Sequence, residues 1–191
     1  MTKGTPISRR TLGALLGVPL AAATASAVDL WAALRSPGHV ALIRHAVAPG
    51  TFDPPGFTLG DCASQRNLST DGRRQASRMG DLLRRNGIAA AGVHSSQWCR
   101  CLDTATLFGL GDVMPQPLLN SFAEDRTRSA QQIAGLRAWI GAQPLAAPTL
   151  LVTHQVVISA LSDASAGSGE IVVMRRDPDG QLILVGRQPT A

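Results

Sequence analysis

The sequence predicts an α/β fold, a three-layer α/β/α sandwich with helices on both faces of a mostly parallel central sheet. Three observations carry that expectation. Val40–Ile43 and Thr149–Thr153 are short apolar runs of strand length, Gly92–Ser95 is a shorter one, and segments of helical period lie between them. The first run ends on Arg44 and His45 and the third on His154, which puts polar groups at strand carboxyl ends, where ligands bind in folds of this class. A chain of 191 residues, 45% hydrophobic and 16% charged, has material for one sizeable core and is too short for two ordinary domains.

Residues 1–27 stand apart from that unit, which is expected to occupy 28–191. Arg9 and Arg10 precede a modestly apolar stretch from Leu12 to Ala23, and Ala25-Ser26-Ala27 has the small-x-small form of a signal peptidase site. Ser8-Arg9-Arg10-Thr11-Leu12 resembles a twin-arginine export signal, so an exported protein, periplasmic or secreted, is expected; the plainer alternative is an uncleaved amphipathic tail. The apolar stretch falls short of the ~20 residues a membrane-spanning helix needs, so no stable membrane insertion is expected after cleavage.

Loss of that segment changes the reading of charge. Lys3, Arg9 and Arg10 leave with it while all 13 acids stay, which reduces the formal +5 to +2. The remaining arginines are scattered, aromatics are only 4%, and no basic stripe interleaves with stacking residues, so nucleic-acid binding is not expected. Cys62, Cys99 and Cys101 lack metal-site spacing; in an oxidising compartment Cys62 would bridge to either Cys99 or Cys101, leaving one thiol over.

The elements follow in order. After the strand at 40–43 comes a long Pro/Gly-rich loop to Asn67, and long loops inside compact domains are usually functional. Leu68, Gly72, Ala76, Met79 and Leu83 recur at helical spacing, so 70–86 is a helix with Ser69 as N-cap, Gly87 as stop, and Arg73, Arg74, Arg84 and Arg85 on its solvated face. The strand at 92–95 runs into a helix starting near Gln97 that carries Arg100, Thr104 and Leu107. Residues 129–142 form a third helix with Ile133, Leu136 and Ile140 inward. After the strand at 149–153, residues 170–187 form a hairpin with an Asp-Pro-Asp-Gly turn.

Four blocks then carry a resemblance. Leu42-Ile43-Arg44-His45, RNLSTDGRRQA from Arg66 to Ala76, SSQWCRCLDTA from Ser95 to Ala105, and LLVTH from Leu150 to His154 are similar, in order and spacing, to motifs of the histidine phosphatase superfamily, whose fold is the phosphoglycerate mutase-like one. The resemblance implies that His45 is a nucleophile forming a phosphohistidine, that Arg44 and Arg100 clamp the phosphoryl group, and that His154 donates to the same oxygens. It implies no metal and no cofactor, because the cationic side chains do that work. Ser95 and Arg66 are candidate substrate-binding residues. Glu124, with Asp125 behind it, is the candidate general acid, and a surface ion pair of Glu124 with Arg126 is the alternative. His39 and His94 match no catalytic position and are read as structural; Asp103 and Thr104 are read as packing or capping groups.

The chain departs from the family pattern at Ala46, where glycine is commonest, at Gln155, and around Glu124. The expected activity is metal-independent hydrolysis of a phosphomonoester, the partner being a small phosphorylated substrate or a phosphoprotein. A non-catalytic binder of phosphorylated ligands is the alternative, and a phosphomutase a less favoured one.

Overall fold

The computed structural model describes residue 1 and residues 29–190. The expected export signal lies outside the described residues, apart from Met1. The elements are α1 (Leu30–Arg35), β1 (His39–Arg44), α2 (Thr70–Arg85), β2 (Gly92–Ser95), α3 (Cys99–Phe108), β3 (Val113–Pro115), α4 (Ser129–Ala142), β4 (Thr149–Thr153), α5 (Gln155–Ser162), β5 (Ile171–Arg176) and β6 (Leu182–Gln188).

The strands form one sheet in the order β3-β2-β4-β1-β5-β6. The first four are mutually parallel; β5 runs antiparallel to β1, and the β5–β6 hairpin closes the far edge. The sequence expectation of a mostly parallel sheet holds, as does the sandwich. Along β1 the side chains alternate between two cores, since a strand's side-chain period is two. Ala41 and Ile43 pack with α1, α2 and α3 through Leu34, Met79, Leu83, Cys101 and Phe108. Val40 and Leu42 pack with α4 and α5 through Leu136, Ile140, Val157, Ile158 and Leu161. Burial on both faces explains why β1 and β4 read as unbroken apolar runs.

Local signals set the helices. Ser69 caps α2 by accepting from the Gly72 amide at 2.9 Å, and Gly87 takes φ +80° just past its end, a conformation that suits glycine. The arginines expected on its outer face are exposed. On α4 the buried face is Gln132, Leu136 and Ile140, with Ile133 only partly buried. Gln132 replaces it inside because its amide donates to the carbonyls of Leu118 and Asn120, satisfying groups that an apolar side chain would strand.

Register delivers the strand ends to one rim. Arg44 pairs with Thr153 across β1 and β4, and Ser95 pairs with Val152 across β2 and β4. The His45 amide then donates to the Thr153 carbonyl at 3.0 Å and the Ser96 amide to the Val152 carbonyl at 2.9 Å. Among the described residues, no helix is long and apolar enough to cross a membrane. His39 and His94 stay structural: His39 Nδ1 lies 3.2 Å from the Ser36 carbonyl and 3.0 Å from that of Pro37, and His94 packs edge-on against Trp139.

Helix α2 crosses α3 closely enough that a Cβ at Gly80 would meet the Phe108 carbonyl oxygen at 2.3 Å. Gly80→Ala therefore lowers stability by about 2 kcal/mol, because overpacking costs more than the ~1 kcal/mol of helix propensity gained. A shift of the urea midpoint to lower concentration, at unchanged slope, is the expected result.

Candidate active site

Beyond the rim lies a cavity of about 540 Å³. Arg44, His45, Arg66, Arg100, Glu124 and His154 all line it, so the topology brings together six of the seven residues singled out in the sequence. Ser95 is the exception. It is fully buried, and its hydroxyl donates to the Ser96 carbonyl at 2.9 Å, away from the cavity. The hydroxyl that serves the site belongs to Ser96, whose Oγ lies 2.8 Å from His154 Nε2. Adjacent serines at a strand end point in opposite directions, and the sequence has no means of choosing between them.

His45 is held in one orientation. It is 2% exposed, and its Nδ1–H donates to the Ala46 carbonyl at 2.8 Å, which leaves the lone pair on Nε2. Burial pushes its pKa down to about 3; the bond to Ala46 opposes that shift, while the charges of Arg100, Arg66 and Arg44 add to it. The imidazole is therefore neutral at pH 7. His154 is pushed down as well, first by burial and then by His45 and the same arginines. Ser96 Oγ donates onward to Asn120 Oδ1 at 3.2 Å, so His154 Nε2 carries the proton that binds Ser96. The two rings meet edge to face with centroids 5.5 Å apart.

Three guanidinium groups surround this pair. Arg44 donates through Nη1 to the Ala166 carbonyl at 2.9 Å, Arg66 through Nη1 to the Ala48 carbonyl at 2.6 Å, and Arg100 through Nη1 to Asp53 at 2.8 Å. In each case the Nε–H is buried without a partner. Burial, and then the neighbouring charge of Arg100, lower the pKa of Arg44 and Arg66 from the ordinary guanidinium value. Like charges crowded in this way are relieved by an anion. The amino termini of α3 and α5 open at the same rim, with their amides and dipoles favouring negative charge there.

Asp53, from the long loop after β1, has no counterpart among the residues expected from sequence. Its side chain is 5% exposed and accepts from Arg100, from the Arg66 amide at 2.9 Å and from Trp98 Nε1 at 3.0 Å. Burial alone would raise its pKa; the hydrogen bonds from Arg100 and the Arg66 amide outweigh this and hold the carboxyl below its ordinary value. Trp98 also lies under the Arg100 guanidinium, 5.9 Å from ring centroid to Cζ. The loop is anchored by a disulfide between Cys62 and Cys99, next to Arg100, which resolves the two pairings the sequence left open; Cys101 is the buried free thiol. Thr104 has the structural part read for it, accepting from the Ala46 amide at 3.1 Å and donating to the Arg100 carbonyl at 2.6 Å.

Glu124 sits exposed on the cavity margin, and among the described residues it forms no ion pair with Arg126. Asp125 spends its carboxylate on the Thr127 amide at 3.2 Å. Among the described residues, no three His, Cys, Asp or Glu side chains converge as a metal ion would need.

Residues 40–127 match the model of the histidine phosphatase superfamily, branch 1, a span that includes Arg44, His45, Asp53, Arg66, Arg100 and Glu124 but not His154. No curated protein matches the chain. Among solved structures, a protein histidine phosphatase SixA complexed with tungstate is 16% identical with a TM-score of 0.59, covering 80% of this chain and 97% of its own. A putative phosphohistidine phosphatase SixA from Nakamurella multipartitia is 24% identical with a TM-score of 0.56, covering 82% and 99%. A phosphoserine phosphatase variant from Entamoeba histolytica, in complex with phosphoserine, is 16% identical with a TM-score of 0.59, covering 80% and 97%. At these identities the likeness is one of fold, the phosphoglycerate mutase-like sandwich.

Two predictions follow from the electrostatics. The His45 ring stays neutral in an NMR titration from pH 7 down to about pH 4, with no inflection near 6.5. Between pH 6.5 and about 3 the unfolded chain therefore binds protons that the folded chain refuses at His45, so stability falls as pH is lowered through that window. Asp53→Asn strips the buried Arg100 of its counter-ion and lowers stability by about 2–3 kcal/mol. Inorganic phosphate then raises the melting temperature of the variant by more than it raises that of the wild type, since the anion replaces the missing charge.

Proposed function

We propose that this protein is a phosphomonoester hydrolase acting through a phosphohistidine on His45. One observation carries the reading: a histidine held neutral with Nε2 free, enclosed by three arginines whose buried Nε–H groups have no partner. Phosphoryl transfer asks for little more than a positioned nucleophile and preorganised positive charge.

In the proposed sequence the phosphoryl group enters among Arg44, Arg66 and Arg100, whose unused N–H groups bind its oxygens. Its charge raises the pKa of His154, which takes up a proton and donates through Nδ1. His45 Nε2 attacks phosphorus as the ester P–O bond breaks, and Glu124 protonates the departing oxygen. Water then attacks the phosphohistidine, giving a proton back to the Glu124 carboxylate as the N–P bond breaks, and phosphate leaves. The arginines supply the positive charge a metal ion would, so turnover persists in chelator. The names of the similar structures support a phosphorylated substrate, whether a small molecule or a phosphoprotein.

Export remains part of the proposal. The twin-arginine-like start supports it, and so does the Cys62–Cys99 bridge, since disulfides persist in oxidising compartments. Cell fractionation with Arg9 and Arg10 intact, and again with both replaced by Lys, tests it; equal cytoplasmic retention of both would refute it.

A binding protein for phosphorylated ligands is the second reading. It is favoured by one fact: the buried carboxylate of the cavity, Asp53, is committed to Arg100, and the remaining candidate acid is exposed. Rapid quench with a phosphate ester separates the two. The enzyme yields acid-labile phosphate on His45, and a binder yields saturable binding with none. His45→Ala is expected to lose hydrolysis by on the order of a thousandfold or more while keeping its fold. Glu124→Gln slows alkyl esters more than esters of acidic leaving groups, as expected for a proton donor.

A further inference from the structure

The chain has only four phenylalanines and three tryptophans, and no tyrosine. Phe52, Phe57, Phe122 and Trp98 all line the one cavity that holds His45. More than half of the aromatic residues of an aromatic-poor chain are thus gathered on the wall of an anion site. Leu59 and Val156 extend the same wall.

Two of these groups are placed at a cost. Phe52 is 67% exposed and Leu59 41% exposed, on a loop otherwise tied down by the Cys62–Cys99 bridge and by Asp53. A braced loop that holds an aromatic ring out of the core, beside a cavity, presents it to a ligand. The rings are also ordered. Phe57 lies 5.7 Å from Trp98, Trp98 lies 5.2 Å from His154, and His154 lies 5.5 Å from His45, centroid to centroid, so aromatic faces and edges run from the cavity wall to the attacking nitrogen.

We propose that the cavity selects aryl and arylalkyl phosphomonoesters, the phosphate seated among Arg44, Arg66 and Arg100 and the ring against Phe52, Phe57 and Trp98. The assignment deepens the phosphatase reading above and rests on it for turnover, though not for binding. A polyhydroxylated group of the same size would lay its hydroxyls against this wall without partners, which is unfavourable. The charged residues that also line the cavity, Glu124, Arg126 and Arg128, are exposed and are served by water without a substrate. For the aryl esters the leaving-group chemistry agrees. A phenolate, with a conjugate acid near pKa ~10, demands less of an exposed proton donor such as Glu124 than an alkoxide does.

Phosphonates test the binding half, because their C–P bond is not hydrolysed. Calorimetry on the whole protein compares methylphosphonate, benzylphosphonate and a polyhydroxylated alkylphosphonate of benzyl size. Burying part of a phenyl ring tightens binding by on the order of tenfold, so benzylphosphonate binds about tenfold more tightly than the other two. In Phe52→Ser, whose exposed ring makes misfolding a minor concern, the benzyl-to-methyl affinity ratio falls several-fold, and it falls likewise in Phe57→Leu. Equal affinity for all three compounds, tighter binding of the hydroxylated one, or an unchanged ratio in both variants overturns the proposal. Parallel rates with benzyl phosphate and glycerol phosphate separate the two readings. Selective phosphonate binding without turnover of either ester upholds the aromatic site and overturns the hydrolase. Turnover of both esters at equal kcat/KM does the reverse.

Discussion

Three arginines crowded around two neutral histidines at the carboxyl ends of the central strands would repel and scatter if nothing opposed them, and the buried ion pair between Asp53 and Arg100 is the contact that makes the arrangement tenable. The carboxylate neutralises one guanidinium, and the hydrogen bonds it accepts from the Arg66 amide and Trp98 lock the loop that carries it against α3. Removing either partner of such a pair leaves a charge buried alone, which costs far more than the pair contributes over an apolar substitute. The other two arginines lean on backbone carbonyls, a weaker compensation that leaves the cavity positive.

That positive field explains the state of the histidines. Burial and surrounding cations both favour neutral imidazole, and the Ala46 carbonyl selects the tautomer with Nε2 free. A histidine of ordinary pKa in the same place would be partly protonated at mildly acidic pH and correspondingly poor as a nucleophile. Strand register, helix dipoles, arginine crowding and the tautomer lock all act on one nitrogen, which is why the site reads as built for an anion. The aromatic wall is a separate feature, and it concerns what the anion is attached to.

The loop after β1 links both features. It carries Asp53 inward and Phe52 and Phe57 to the cavity, and the Cys62–Cys99 bridge fastens it one residue from Arg100. Closing the segment between Cys62 and Cys99, a separation of 37 residues, by a covalent link is worth about 3–4 kcal/mol on a chain-entropy estimate. In a segment too rich in proline and glycine to form helix or strand, that link substitutes for a hydrogen-bonded framework.

Where the period of the side chains was long enough to repeat, the sequence by itself determined the structure. The strands at 92–95 and 149–153 and the helix at 129–142 have the expected bounds, and Ser69 and Gly87 frame α2 as expected. Helix α1, with six residues, and β3, with three including Pro115, are too short for a period to show, and α5 starts directly after His154 with no side-chain cap to announce it. The residues of the site divide in the same way. Arg44, His45, Arg100 and His154 sit at strand ends or in the first turn of a helix, positions that local pattern marks. Asp53, Ser96, Trp98 and the choice of Cys99 over Cys101 were decided only by tertiary structure, because each depends on which surface a loop of some twenty residues folds against, and no local period records that.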